Sequence, residues 1–132
     1  MRIMVDANII VSAILFPKSV IANVFKHLID NYSLVLSEYT IYEVEDVFNE
    51  KFPQRIVEMK EFLRETPHEL FTLNKTNKKY PNIRDLDDLP VLVNAIESKV
   101  DLLITGDKDF DDVMVKRPKI IKPRQYIDEY MK

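Results

Sequence analysis

The stretch Arg2-Ile3-Met4-Val5-Asp6-Ala7-Asn8-Ile9-Ile10-Val11 decides how this chain is read. Its first four residues form a short apolar strand that stops at Asp6. A helix follows from Asn8 to Leu15 and ends at Pro17. The same alternation continues downstream. Ser19 caps a helix to about Tyr32 with apolar residues at helical spacing, and Leu34-Val35-Leu36 is a second strand. Helices over about Glu38 to Phe52 and Gln54 to Arg64 come next, separated by Pro53, then a third strand at Leu70 to Leu73. A helix from Asp88 to about Lys99 leads to a fourth strand, Leu102 to Thr105, which turns at Gly106. A short helix over Lys108 to Met114, a fifth strand at Ile120-Ile121 and a terminal helix from Pro123 complete the chain. Short apolar strands alternating with helices predict an α/β domain with a mostly parallel sheet of about five strands. With 132 residues and no repeat or linker, residues 1–132 read as a single domain.

Composition removes most chemistries. There is no cysteine, so no thiolate zinc site and no thiol nucleophile. One glycine is too few for a P-loop, a dinucleotide turn or a G-x-S-x-G elbow. His27 and His68 form no H-E-x-x-H pair. Apolar runs are too short to span a membrane, and the first residues carry no basic leader or cleavage site. The expectation is a cytoplasmic protein. What remains in quantity is carboxylate: 22 Asp plus Glu against 19 Lys plus Arg, net charge -3.

In a parallel sheet, ligands sit beyond the carboxyl ends of the strands. Asp6 follows the first strand directly, and Asp107 follows the fourth across Gly106. Asp6 or Asn8 also suits a helix cap. Glu43 stands early in the third helix, where Thr40-x-x-Glu43 matches a capping box; Glu43 and Glu45 flank its apolar stripe at equal angles. Asp85, Asp87 and Asp88 precede Pro90 at a helix start, where acids complement the helix dipole. Each acid has a structural use of its own. Acids from four segments meeting at one sheet edge, however, repel one another unless a proton or a cation intervenes. With no cysteine and scarce histidine, an all-oxygen site selects a hard ion such as Mg²⁺ or Mn²⁺.

These motifs resemble those of the PIN-domain ribonucleases, close to the VapC-like toxins of toxin–antitoxin pairs. The resemblance rests on Val5-Asp6-Ala7-Asn8, Ser37-x5-Glu43, Asp85-Leu86-Asp87-Asp88-Leu89-Pro90-Val91-Leu92 and Leu103-Ile104-Thr105-Gly106-Asp107-Lys108-Asp109-Phe110, in order along nearly the whole chain. It implies a three-layer α/β/α fold, a homodimer, a small antitoxin partner and Mg²⁺- or Mn²⁺-dependent cleavage of single-stranded RNA. Carried over, the acidic site falls on Asp6, Glu43, Asp88 and Asp107, with Asp6, Asp88 and Asp107 on the metal. Asn8, Thr105 and Asp109 are supports, and the choices of Asp87 or Asp88 and of Asp107 or Asp109 stay open. An acidic cleft needs a basic rim to hold RNA. Lys75, Lys78, Lys79 and Arg84 supply one candidate, with Tyr80 to stack on a base; Lys116, Arg117, Lys119, Lys122 and Arg124 supply a second. Competing readings are a PIN-like scaffold without turnover, a stand-alone RNA-processing nuclease, and a phosphatase acting on small phosphoesters.

Overall fold

A computed structural model describes residues 1–74 and 79–132. Lys75 and Lys78 lie outside the described residues. The elements are β1 (Arg2–Val5), α1 (Ala7–Leu15), α2 (Val20–Asn31), β2 (Ser33–Ser37), α3 (Glu38–Lys51), α4 (Ile56–Glu65), β3 (Glu69–Phe71), α5 (Leu89–Glu97), β4 (Leu102–Ile104), β5 (Lys119–Ile121) and α6 (Pro123–Tyr130). Short 3-10 turns cover Pro53–Arg55, Leu86–Asp88 and Lys108–Phe110.

The five strands form one sheet in the order β3-β2-β1-β4-β5, and every pairing is parallel. Side chains alternate across it with the strand period of two. Ile3, Val5, Leu34, Leu36, Leu102, Ile104 and Ile121 face one core with residues of α1, α2, α3, α4 and α6. Met4, Val35 and Leu103 face the other, where Val91, Leu92 and Ala95 of α5 cover them with Val100 and Phe110. The result is three layers, α/β/α, with one helical layer much thicker than the other. Among the described residues, no single helix is long and apolar enough to cross a membrane.

Connections from β1 run outward to β2 and β3 on one side, while β4 and β5 add on the other. The sheet therefore reverses strand order between β1 and β4, where the carboxyl ends open a crevice. In register, Val5 pairs with Ile104, so the residues that follow, Asp6 and Thr105, emerge side by side. The Asp6 N–H donates to the Ile104 carbonyl at 3.2 Å, and the Thr105 N–H to the Ile121 carbonyl at 3.0 Å.

Three local expectations change. The third strand is Glu69–Phe71, shifted one residue upstream of its expected start and ending two earlier. The helix expected over Lys108 to Met114 is only the turn Lys108–Phe110. Asp107 caps that first turn, but seven residues gain too little packing to offset helix nucleation. The capping box at Thr40 and Glu43 is absent. Ser37 is the cap of α3: its Oγ accepts from the Thr40 N–H at 3.1 Å and donates to Thr40 Oγ1. The helix thus begins three residues earlier than that motif requires, and Glu43 is released from capping.

Candidate functional site: an acid cluster at the strand ends

Asp6 is buried, 7% exposed, at the tip of β1. Its Oδ1 accepts from the Ile9 N–H at 3.1 Å, so it caps α1. Its Oδ2 accepts from Thr105 Oγ1. Burial pushes its carboxyl above the usual range, opposed by the Thr105 hydroxyl and the N–H groups of Ile9 and Asn8; Asp107 pushes it further up. Thr105, 1% exposed, also accepts from the Asp107 N–H at 3.1 Å. One threonine hydroxyl thereby ties the first strand end to the fourth. The Asn8 backbone N–H also reaches Asp6, and its side chain is exposed.

Asp107 Oδ1 accepts from the Asp109 N–H at 2.8 Å, capping the short turn and fixing the loop after β4. Asp88 approaches from the start of α5. Asp85 caps the turn before it, accepting from the Asp87 N–H at 2.9 Å, whereas Asp88 makes no capping bond. Asp88 Oδ2 is buried with no hydrogen-bond partner among the described residues. Loss of water, a hydrogen bond with Asp107 and the charges of Asp107, Asp85 and Asp109 push the Asp88 carboxyl up to about 7. Asp87 is exposed on the outside of the same turn. Asp109 is shifted upward too, by partial loss of water and then by Asp107.

Glu43 closes the cluster from α3. It is half-buried, and its carboxyl rises through burial first and the charge of Asp6 second. That coupling places Glu43 within electrostatic reach of Asp6. The angular tie between Glu43 and Glu45 is broken by tertiary structure. Sequence reasoning missed Tyr39, half-buried on the same turn of α3. Its phenol is held protonated by burial and by the charges of Glu43, Asp87 and Asp88. It also gave Asp85 only a capping role. No sequence signal marks Tyr39 beyond its place two residues after β2.

Donor atoms test whether a cation fits. Single carboxylate oxygens of Asp85, Asp88 and Asp109 lie within 4.8 Å of one another. The orphaned Asp88 oxygen lacks the partner that buried polar atoms ordinarily have. The carboxyls of Asp6, Glu43, Asp88 and Asp109 are all raised, the direction expected when negative charge is uncompensated. An oxygen-only set of this kind fits Mg²⁺ or Mn²⁺.

The basic residues divide. Arg84 pairs with Asp112 at 2.6 Å and lies close enough to Asp109 to feel its charge, while Lys79 is exposed. Tyr80 donates to Glu97 at 2.9 Å, which ties it to α5. Arg117 binds the Lys99 and Val100 carbonyls and Asp101, at the opposite end of β4 from the acids. Arg124 meets Asp128 on its own helix. Lys116, Lys119 and Lys122 line a cavity beside Asp107.

A family model of the PIN domain matches residues 2–109. The chain belongs to the PIN-domain family. Among solved structures, its fold is similar to a chain of VapBC2 from Rickettsia felis, a complex bound to a DNA fragment from its promoter. The TM-score is 0.65 at 17% sequence identity, covering 92% of this chain and 97% of that one. No curated protein matches the sequence.

Proposed function

We propose that the protein is a metal-dependent ribonuclease that hydrolyses single-stranded RNA, working as the toxin of a toxin–antitoxin pair. The observation that carries this reading is the Asp88 oxygen, buried and without a partner among the described residues, in a carboxylate group with Asp85 and Asp109; the effects of Asp107 on Asp6 and Asp88 and of Asp6 on Glu43 support extending it to those acids. Membership of the PIN family supports the nuclease class, and the similarity to VapBC2 supports the toxin context.

Asp6, Asp88 and Asp107 would hold the ion, with Asp85 and Asp109 as further oxygen donors beside Asp88. A bound Mg²⁺ or Mn²⁺ supplies charge stabilisation at the phosphate and acidifies water. Thr105 keeps Asp6 oriented, because a buried carboxylate without such a bond loses its geometry as well as its charge. Glu43 accepts the proton of the attacking water; its raised affinity for protons makes it a stronger base than an exposed glutamate. Water oxygen adds at phosphorus, one P–O ester bond breaks, and the departing oxygen takes a proton from solvent. The products are one phosphomonoester end and one hydroxyl end.

A free ribonuclease is harmful to its host, so the toxin reading includes a small partner. A basic segment fits the acidic crevice, since arginine pairs with carboxylates in bidentate fashion. Wild type and Asp6→Asn are compared on single-stranded RNA and on a chromogenic phosphoester, with Mn²⁺ and with EDTA. Mn²⁺-dependent RNA cleavage that Asp6→Asn abolishes is the expected result. Turnover of the phosphoester alone would transfer the protein to the phosphatases, and no turnover of either would leave a scaffold. Co-purification with the product of the adjacent gene tests the partner.

A further inference from the structure

A cavity beside the acids is not used by the chemistry above. It measures about 400 Å³ and adjoins the cluster directly, because Thr105 and Asp107 belong to both. Its apolar wall is Phe110, Val113, Val115 and Ile120. Lysines 116, 119 and 122, Gln125 and the acids Asp107 and Asp111 supply its polar side. The size falls in the roughly 300–1,000 Å³ range of small-ligand sites.

The lysines differ in what already holds them. Lys119 meets Glu129 at 2.8 Å, and Lys122 meets Asp111 at a looser 3.3 Å. Lys116 is exposed and has no ion pair among the described residues. The Gln125 Oε1 accepts from the Lys122 N–H at 2.9 Å, which fixes its amide at the cavity and leaves the NH₂ as a donor. An apolar wall, a fixed amide donor and an unpaired cation match the three parts of a nucleotide: a flat base, its acceptor edge and a phosphate.

We propose that this cavity is the nucleotide-binding subsite of the RNA strand being cut: the base lies against Val113 and Ile120, and Lys116 holds the phosphate next to the scissile one. The inference rests on the nuclease reading and extends it. A strand whose scissile phosphate sits at Asp6, Asp88 and Asp107 must continue past Asp107 or past α5. The Asp107 side offers a concave surface with available positive charge. Arg84, which reaches the loop at Asp109 and Asp112, is already paired with Asp112. A peptide would also occupy an apolar groove, but an acidic peptide would have to lie beside Asp107 and Asp111 with no phosphate geometry to exploit.

The test reads binding and cleavage separately. Fluorescence anisotropy of a labelled single-stranded oligoribonucleotide is measured in millimolar Ca²⁺, an ion poorly suited to phosphate chemistry. Lys116→Glu and Gln125→Ala, both at exposed positions, are compared with wild type. Lys116→Glu weakens RNA binding several-fold, and Lys116→Ala lowers the slope of log affinity against log salt by about 0.7, the value for one phosphate contact on a single strand. A 4-thiouridine in the oligonucleotide crosslinks to the peptide spanning residues 110–125. With Mn²⁺, the variants raise KM while kcat stays near wild type. Unchanged affinity and salt slope in the Lys116 variants, beside a wild type that still cleaves RNA, overturn the subsite and leave the nuclease standing. A wild type that binds RNA at the cavity yet never cuts it keeps the subsite and removes the nuclease. Crosslinks confined to peptides outside residues 110–125 overturn the proposal.

Discussion

Replacing Asp88 with asparagine in metal-free protein should make the protein more stable, and more so as the pH rises. In the folded chain the Asp88 carboxyl is raised from its ordinary 3.8 to about 7 by loss of water and by Asp107, Asp85 and Asp109. Between those values the native protein holds a proton that the unfolded chain has released, so stability falls as pH rises through that window. Below 3.8 both states are protonated and the penalty is absent; above about 7 it is complete. Without solvent screening, at about 1.4 kcal/mol per tenfold change, the displacement is worth about 4 kcal/mol. Asp88 is only half-buried, so solvent screening reduces the figure to about 1–2 kcal/mol. Asp88→Asn keeps the shape and removes the charge. Urea denaturation in EDTA at about pH 5 and about pH 8 should show the variant's advantage growing by about 1 kcal/mol between them. Millimolar Mg²⁺ should stabilise wild type, by about 2.7 kcal/mol at a hundredfold excess over Kd, and should do far less for the variant. An advantage that does not change with pH, or a variant less stable than wild type at both, would refute the argument from charge crowding.

Three further outcomes follow from single contacts. Thr105→Val removes the hydroxyl that donates to Asp6 and accepts from Asp107; it should cost about 1.5–3 kcal/mol in urea denaturation, with Thr105→Ser recovering most of the loss. Glu43→Gln should lower RNA cleavage by about a hundredfold or more in initial-rate assays, while Glu45→Gln stays within a few-fold of wild type. Lys99, which follows α5, has a φ of 58°, in the left-handed region; Lys99→Gly should raise stability by about 0.5–1 kcal/mol in thermal melts.

Much of this was legible in the sequence, because strands and their ends leave local marks. Alternation in Ile3-Met4-Val5 and Leu102-Leu103-Ile104 sets both the sheet and the two faces it covers, and the acids just beyond those strands follow by adjacency alone. The choice of Asp88 over Asp87 needed three dimensions, since both belong to one short turn and only Asp88 turns inward. Glu43 and Glu45 are equivalent by helical angle; the position of Asp6 across the crevice separates them. Asp85 caps a turn, as its sequence context suggests, and its carboxylate also reaches Asp88 and Asp109. Nothing in a sequence records that second contact. The basic residues were the least legible. Charge shows where a lysine or arginine stands along the chain but not which acid has already claimed it, and Arg84, Arg117 and Arg124 are all claimed.

Asp87 and Asp88 are adjacent acids on one turn, and only one of them faces the cluster, so the pair tests the account most directly. Protein stripped with EDTA is mixed with single-stranded RNA, Mn²⁺ is added back, and initial cleavage rates are measured for wild type, Asp87→Asn and Asp88→Asn. Mn²⁺ should restore the wild-type rate, with Asp87→Asn close to it and Asp88→Asn slower by orders of magnitude. Full Mn²⁺-dependent cleavage by Asp88→Asn would contradict it.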